Sequence, residues 1–423
     1  MKKLVFGMLL AASSAFAAND ALMDVSNVRV SQNPTTRRVT VQYDLAIRNL
    51  EGSAAPLTGA LIRMDVLTNS PSGYVSIGRD HIRTLSGDYS IGSATKYYVA
   101  AGTDKTIVWD AKSDFPDQSL GDVKVAVKAY YPGEMVFDEW KYLVMHIGTN
   151  NDQPKTYSWE LTDLNPDEYD PNPADVWKKT ASEIWFVRCP AGSFTMGSPE
   201  GAVGYQSTRP LHKVTLTQPF FMEIVPMTDH QWSRVSKYTL AINGAAQNSV
   251  SIYALMGANW YSTRVIDDSS VVGKIRARSG LNVTIPTEAQ WEYACRAGSK
   301  GSYSGTDVFF TTKEECNAYY QQTWGLTTAG HGNAGTTWNA NTNAWGISGM
   351  HTSIATWCQD TQDAVPATDA VDPLTKGASA GFVLKGPWSW SGTATCHEHI
   401  GNAAINHSFT DAYCGARLVV MPY

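Results

Sequence analysis

The sequence predicts an α+β protein in two parts: an antiparallel β-sandwich, then a larger, loop-rich α+β domain with little regular structure. Two observations predict this. Between about residues 25 and 131, short segments alternate apolar and polar side chains with period two, the mark of half-buried antiparallel strands. From residue 184 onward, isolated capped helices and long stretches rich in Gly, Asn, Thr and Trp alternate without a repeating period. The composition fits. The 423 residues, 14 of them Trp, are only 17% charged, a bias that suits aromatic packing and disfavours disorder, coiled coil and collagen.

Each element has its own signal. At the start, Lys2 and Lys3 precede an apolar run over residues 4–12 and a small-x-small site, Ala15-Phe16-Ala17, which reads as a signal peptide over residues 1–17. The expected mature chain starts near Ala18 or Asn19 and is secreted or periplasmic. Strands are expected at Val28-Arg29-Val30, Arg38-Val39-Thr40-Val41-Gln42-Tyr43, Thr106-Ile107-Val108-Trp109 and Val123-Lys124-Val125-Ala126-Val127. Turn signals at Asn33-Pro34, Pro71-Ser72-Gly73, Ser86-Gly87-Asp88 and Gly102-Thr103-Asp104 separate them. Residues 20–148 thus read as a sandwich of immunoglobulin or fibronectin III character. The Asn-, Asp- and Pro-rich residues 149–182 read as a linker. Residues 183–423 form the second domain.

In that domain Phe194-Thr195-Met196 reads as a short strand closed by Gly197. Thr228 with Gln231, and Thr287 with Gln290, have the spacing of capping boxes and predict helices over 227–238 and 287–296, the latter stopped by Gly298. Ser269 or Ser270 caps a third helix that ends at Gly280. Residues 299–349 show weak periodicity and read as a long loop packed by its own aromatics.

Charge and cysteine content narrow the function. A net charge of −6 with no dense Lys/Arg run gives no footprint for nucleic acid, and no window is long and apolar enough to span a bilayer. Six cysteines (Cys189, Cys295, Cys316, Cys358, Cys396, Cys414) in an exported chain permit disulfides, among them Cys396 with Cys414, but no CxxC pair is present.

The string Phe186-Val187-Arg188-Cys189-Pro190-Ala191-Gly192-Ser193-Phe194-Thr195-Met196-Gly197-Ser198 resembles the opening motif of formylglycine-generating enzyme (sulfatase-modifying factor) domains. Ile285-Pro286-Thr287-Glu288-Ala289-Gln290-Trp291-Glu292-Tyr293-Ala294-Cys295-Arg296-Ala297-Gly298 is the most specific stretch. Trp345-Gly346-Ile347-Ser348-Gly349-Met350, Lys385-Gly386-Pro387-Trp388 and Gly415-Ala416-Arg417-Leu418-Val419 follow in family order. The resemblance implies a C-type-lectin-like α+β fold. It does not by itself imply activity, because the scaffold hosts oxidases and binding proteins alike.

Active members of that family oxidise a sulfatase cysteine with O₂ on Cu(I) held by two cysteines spaced five apart. Ungapped counting puts those positions at Ser391 and Cys396, and a serine hydroxyl is a poor ligand for a soft ion. Cys396 with His397 or His399 is an alternative set for Cu or Zn, the two histidines sharing one face of an extended segment. A family calcium site is depleted here, with Ser353 and Thr356 in place of Asn and Glu, while an Asn-rich loop around Asn317 is a candidate for a second Ca²⁺ site. Trp388 and Trp390 flank the family's active-site groove and are candidates for stacking on a peptide, protein or glycan ligand. Glu288 and Glu292 lie four apart on the capped helix and read as structural, Glu292 pairing with Arg296. The expected function is ligand binding by a member without the full copper pair. The alternative is a formylglycine-generating oxidase or a related metal-dependent oxidoreductase, with a sulfatase as partner.

Overall fold

A computed structural model describes residues 21–49, 57–71, 73–78, 81–116, 122–131, 137, 139–148, 155–170, 178–204, 210–236, 246, 249–325, 341–361, 368–376, 381–387, 393–400, 408–410 and 414–422. Residues 1–17, read above as a signal peptide, and Ser391, Trp388 and Trp390 lie outside the described residues, as does the side chain of His399. The chain divides into two compact units, residues 1–140 with 160–164, and residues 141–159 with 165–423.

The first unit is a sandwich of two antiparallel sheets. One has the order β1 (Ala21–Gln32), β2 (Arg38–Asn49), β6 (Gly102–Asp110), β5 (Leu85–Gly87); the other β4 (Gly73–Ser76), β3 (Leu61–Ser70), β7 (Val123–Tyr130). The alternation read from the sequence decides what is inside. Val39, Val41 and Tyr43 of β2, Ile62, Met64 and Val66 of β3, Ile107 and Trp109 of β6, and Val123, Val125 and Val127 of β7 form one core. Burying such a side chain is worth about 1.5–3 kcal/mol, so the paired apolar faces hold the sheets together. After β6 a single turn, α1 (Ala111–Asp114), is capped by Asp110, whose carboxylate accepts from Ser113 N–H.

The second unit is built on strands β14 (Val283–Thr284), β20 (Val419–Val420), β13 (Phe220–Glu223), β10 (Glu183–Cys189) and β8 (Tyr142–His146), neighbours in that order. Two small sheets flank them: β11 (Gly192–Met196), β12 (His212–Leu216), β16 (Ala370–Val371), and β18 (His399–Ile400), β17 (Phe382–Lys385), β15 (Ala355–Thr361), β19 (Cys414–Gly415).

The capping signals hold. Thr228 Oγ1 accepts from Gln231 N–H at 3.1 Å and Gln231 Oε1 from Thr228 N–H at 2.8 Å, opening α3 (Asp229–Ser236). Short turns α4 (Ile252–Met256) and α5 (Trp260–Thr263) follow, then α6 (Val271–Ser279), capped by Ser270 and closed by left-handed Gly280. α7 (Glu288–Arg296) has the full Thr287/Gln290 box. Its left-handed residue is Ala297, at φ 46°, one position before the Gly298 named by the sequence.

Two expectations change. The long loop over 299–349 contains a 12-residue helix, α8 (Lys313–Trp324), so Asn317 sits on a helix rather than in an Asn-rich loop. The 149–182 stretch is more than a linker: it contributes β9 (Ser158–Thr162), the capped turn α2 (Pro166–Tyr169) and buried residues 179–182. Among the described residues no helix is long and apolar enough to cross a membrane.

Candidate functional site

The motif helix α7 positions the site. Its apolar face buries Trp291 and Ala294, and the same periodicity carries Cys295 into the core. Asn343 holds the end of the helix, its Nδ2 donating to Ala294 O at 2.7 Å and Cys295 O at 3.3 Å. Cys396 reaches the same point from a distant segment fixed by its own backbone, Cys396 N–H donating to Ser302 O at 2.7 Å. The two Sγ atoms lie 3.5 Å apart.

His351 completes a triangle, its Nε2 lying 3.4 Å from Cys295 Sγ and 3.7 Å from Cys396 Sγ. Its other nitrogen, Nδ1, faces Ala394 O at 2.8 Å and therefore carries the proton. Nε2 accordingly presents a lone pair, which accepts from Ser304 N–H at 3.2 Å. Trp324 stacks on the imidazole (5.1 Å, 24°) and Tyr303 meets it edge-on at 5.2 Å. Among the described residues this is a set of three metal-ligating groups whose donor atoms all lie within 4.8 Å of one another.

Burial opposes ionisation of both thiols, with opposite outcomes. For Cys396 that penalty is opposed by the hydrogen bond from Cys295 and by the Arg296 charge, which draw its pKa below the usual thiol range. Cys295 is pushed well above that range by burial and by the Cys396 charge beside it. Cys189 and Cys358 are also raised, mainly by burial, and read as inert core thiols.

This corrects the sequence reading in three places. All six cysteines are buried and none is in a disulfide, so a Cys396–Cys414 bond is not present; Cys414 sits on β19 beside Ala355. His397 turns away from Cys396. Its Nε2 donates to Val203 O at 2.8 Å and burial pushes its pKa down to about 4. The residues that do meet Cys396, Cys295 and His351, come from 101 and 45 positions away. Chain neighbourhood favoured His397; tertiary packing brings in the others. Thr356, at the depleted calcium position, accepts Trp291 Nε1–H at 2.8 Å and serves the core.

Beside the triangle runs a buried charge network. Glu292 Oε1 accepts from Arg296 Nε (2.9 Å), Arg296 Nη2 (2.7 Å) and Gly197 N–H (2.9 Å), while its Oε2 faces Lys385 Nζ at 3.1 Å. Lys385 also lies 3.6 Å from Glu288. Every partner in these carboxylate contacts is a donor or a cation, which is what buried carboxylates need. A cavity of about 360 Å³ opens elsewhere in the unit, lined in part by Thr217, Gln290, Gln359 and Asp372. Those four side chains are already engaged with Asp372, Met421, Ile285 and Thr217.

The model of the sulfatase-modifying factor enzyme 1-like domain matches residues 172–421, well over half of the chain. The chain belongs to the sulfatase-modifying factor family. Its second unit has the loop-rich, C-type-lectin-like α+β fold of that family, and the match begins 11 residues before the domain start read from the motifs. Among solved structures, the variable protein 1 of Treponema denticola is similar over 58% of this chain and 98% of its own, with 18% identity and a TM-score of 0.41. PvdO of Pseudomonas aeruginosa is similar over 56% and 94%, with 17% identity and a TM-score of 0.40. A search of curated proteins finds no relative.

Two acids elsewhere in this sulfatase-modifying-factor domain set an expected pH response. Asp360 is pushed up to about 7 by burial and by Glu288, against its bonds from Thr375 and Glu288 N–H and against Arg264. Glu223 is pushed up to about 8 by burial, against the Leu418 amide and Arg417. An acid whose folded pKa exceeds its unfolded value of about 4 binds more protons when folded, so stability falls as pH rises between the two values. Each acid should therefore lower the melting temperature as pH rises from 5, Asp360 up to about 7 and Glu223 up to about 8, set against the opposite contributions of His397 and Cys396, whose folded pKa values are lowered. Glu223→Gln should therefore gain melting temperature relative to wild type between pH 5 and pH 8; an unchanged difference would contradict the assignment.

Proposed function

We propose that this protein is an exported, non-catalytic member of the sulfatase-modifying factor family that binds a peptide, protein or glycan. One observation carries the reading. Cys396, the one cysteine retained from the family's copper pair, is fully buried, and its thiol faces Cys295 and His351 beneath Trp324 and Tyr303. An oxidase acting on a sulfatase cysteine needs a coordination position that the incoming thiolate can reach, whereas closed sites serve structure. Serine at 391 points the same way, since a hydroxyl replaces the first soft ligand. Loss of the calcium carboxylate at Thr356 fits a scaffold that has drifted from its catalytic relatives.

The second reading, an oxidoreductase with a rebuilt site, is favoured by a specific feature: two thiols and an imidazole converge on one point. The two readings separate in one assay. Mature protein, taken from periplasm or medium with an N-terminus at Ala18 or Asn19, is incubated with Cu(I), O₂ and a Cys-x-Pro-x-Arg peptide. The binding reading expects the peptide mass to stay unchanged over many hours. Formylglycine formation that disappears in Cys396→Ala would establish the oxidase.

A further inference from the structure

We propose that Cys295, His351 and Cys396 form a closed three-coordinate site for a single soft d¹⁰ metal ion, Cu(I). The site goes beyond the binding function proposed above and does not depend on it. Its ligands differ from the pair that family resemblance suggests, because two of the three come from segments that contain neither Ser391 nor its neighbours.

The geometry is that of a ligand set. The donor atoms form a nearly equilateral triangle with sides of 3.5, 3.4 and 3.7 Å. A point equidistant from all three lies about 2 Å from each, close to metal–imidazole bond lengths of about 2.0–2.1 Å and slightly inside metal–thiolate lengths of about 2.3 Å. An ion near that point would lie within bonding reach of all three donor atoms.

The surroundings orient the ligands. A metal-binding histidine usually gives its other ring proton to a carbonyl or carboxylate, which fixes the tautomer and aims the free lone pair. His351 does this through Nδ1 and Ala394 O, and its Nε2 lone pair, which here accepts from Ser304 N–H at 3.2 Å, would turn to the ion on loading. Its ring is clamped by Trp324 and Tyr303, and both sulfurs sit on segments held by backbone hydrogen bonds. All three residues are buried, so the site is dry and preformed.

Ligand type and number select the ion. Two sulfurs and one imidazole suit soft or borderline ions and exclude Ca²⁺ and Mg²⁺, which take oxygen. Among the described residues no fourth Cys, His or carboxylate joins the cluster, and structural Zn²⁺ is almost always four-coordinate. Cu(I) has no such demand in a thiolate-rich site.

The test is a Cu(I) titration of the reduced, full mature chain under anaerobic conditions, against a chromophoric Cu(I) chelator, with X-ray absorption on the loaded protein. The expected result is one Cu(I) per chain, a first shell of two sulfurs and one nitrogen, and a raised melting temperature. Cys295→Ala and Cys396→Ala should each abolish stoichiometric binding. His351→Ala should weaken it by about 100-fold or more, since even outer partners of metal ligands are worth about 10–100-fold. Wild-type measurements alone decide the matter if a variant fails to fold. No binding to reduced protein, a shell without two sulfurs, or a Cys295–Cys396 disulfide in the isolated chain that blocks loading would each overturn the site. Tighter Zn²⁺ binding with a four-ligand shell would overturn the choice of ion. Copper binding without peptide turnover keeps both proposals; peptide turnover overturns only the non-catalytic reading.

Discussion

Glu292→Ala should destabilise the second unit by about 3–5 kcal/mol, the usual cost of removing one partner from a buried ion pair. The carboxylate is 1% exposed and joins Arg296, Lys385 and the Gly197 amide at one point. Burial alone would raise its pKa; Lys385 first, then Arg296, reverse that and keep it ionised. Without it, Lys385 keeps the longer contact with Glu288 and the Trp291 ring 5.6 Å away, and its ammonium stays fully buried. Arg296 is better protected, because its guanidinium also donates to the carbonyls of Gly197, Lys300 and Gly301. Most of the loss should therefore come from the lysine side. A double-mutant cycle reads this directly: adding Lys385→Met to Glu292→Ala should restore part of the stability, whereas Arg296→Leu should not. Chemical denaturation followed by tryptophan fluorescence gives the values. A loss below about 1 kcal/mol for the single variant would mean that water or another cation replaces the carboxylate, contrary to the burial seen here.

The same helix shows what sequence can and cannot reveal. Its cap, its apolar face and the Glu292–Arg296 pair all depend on residues within four positions of each other, and local spacing reports such relations faithfully. The strands of the first unit were legible for the same reason: alternation along β2 or β7 is a local record of which face is buried. α8 escaped because only Cys316 and Tyr320 of its residues are buried, so it has almost no apolar stripe to read. Its Thr312/Glu315 capping box and the Gly325 stop were the available signals. The metal triangle was not legible at all. Cys295 and Cys396 are separated by 101 positions, and His351 belongs to no spacing pattern that includes either. The histidine nearest Cys396 in sequence, His397, places its Nε2 against Val203 O. Cys295 on the buried face beside Trp291 was the one local hint, because a thiol placed in a core needs a partner only if something there uses it.

Arg63→Ala should cost about 2–4 kcal/mol and release a specific piece of chain, which makes it the sharpest test of the first unit. Along β3 the apolar Ile62 and Met64 face the sandwich core, so alternation turns Arg63 to the other side, where an arginine is ordinarily solvated. It is instead 2% exposed. Its guanidinium donates to Ser90 O at 2.7 Å and Glu139 O at 2.5 Å, pairs with Asp163, and lies 4.1 Å above the Trp140 ring. Two chain segments far from β3 in sequence, around residues 139–140 and 160–164, are thereby pinned over its outer face. Because Asp163 is one-third exposed, its ionic share is reduced by solvent screening, and the two carbonyls and the ring carry the larger part. Arg63→Lys should rescue little: a single ammonium cannot reach two carbonyls, a carboxylate and a ring face together. Hydrogen exchange on the full chain is the decisive readout. In Arg63→Ala, protection should fall for peptides covering 137–142 and 158–164, while β2 and β6 keep theirs. Equal loss across all strands would make Arg63 part of the general core, and unchanged protection would remove the clamp from the account of this fold.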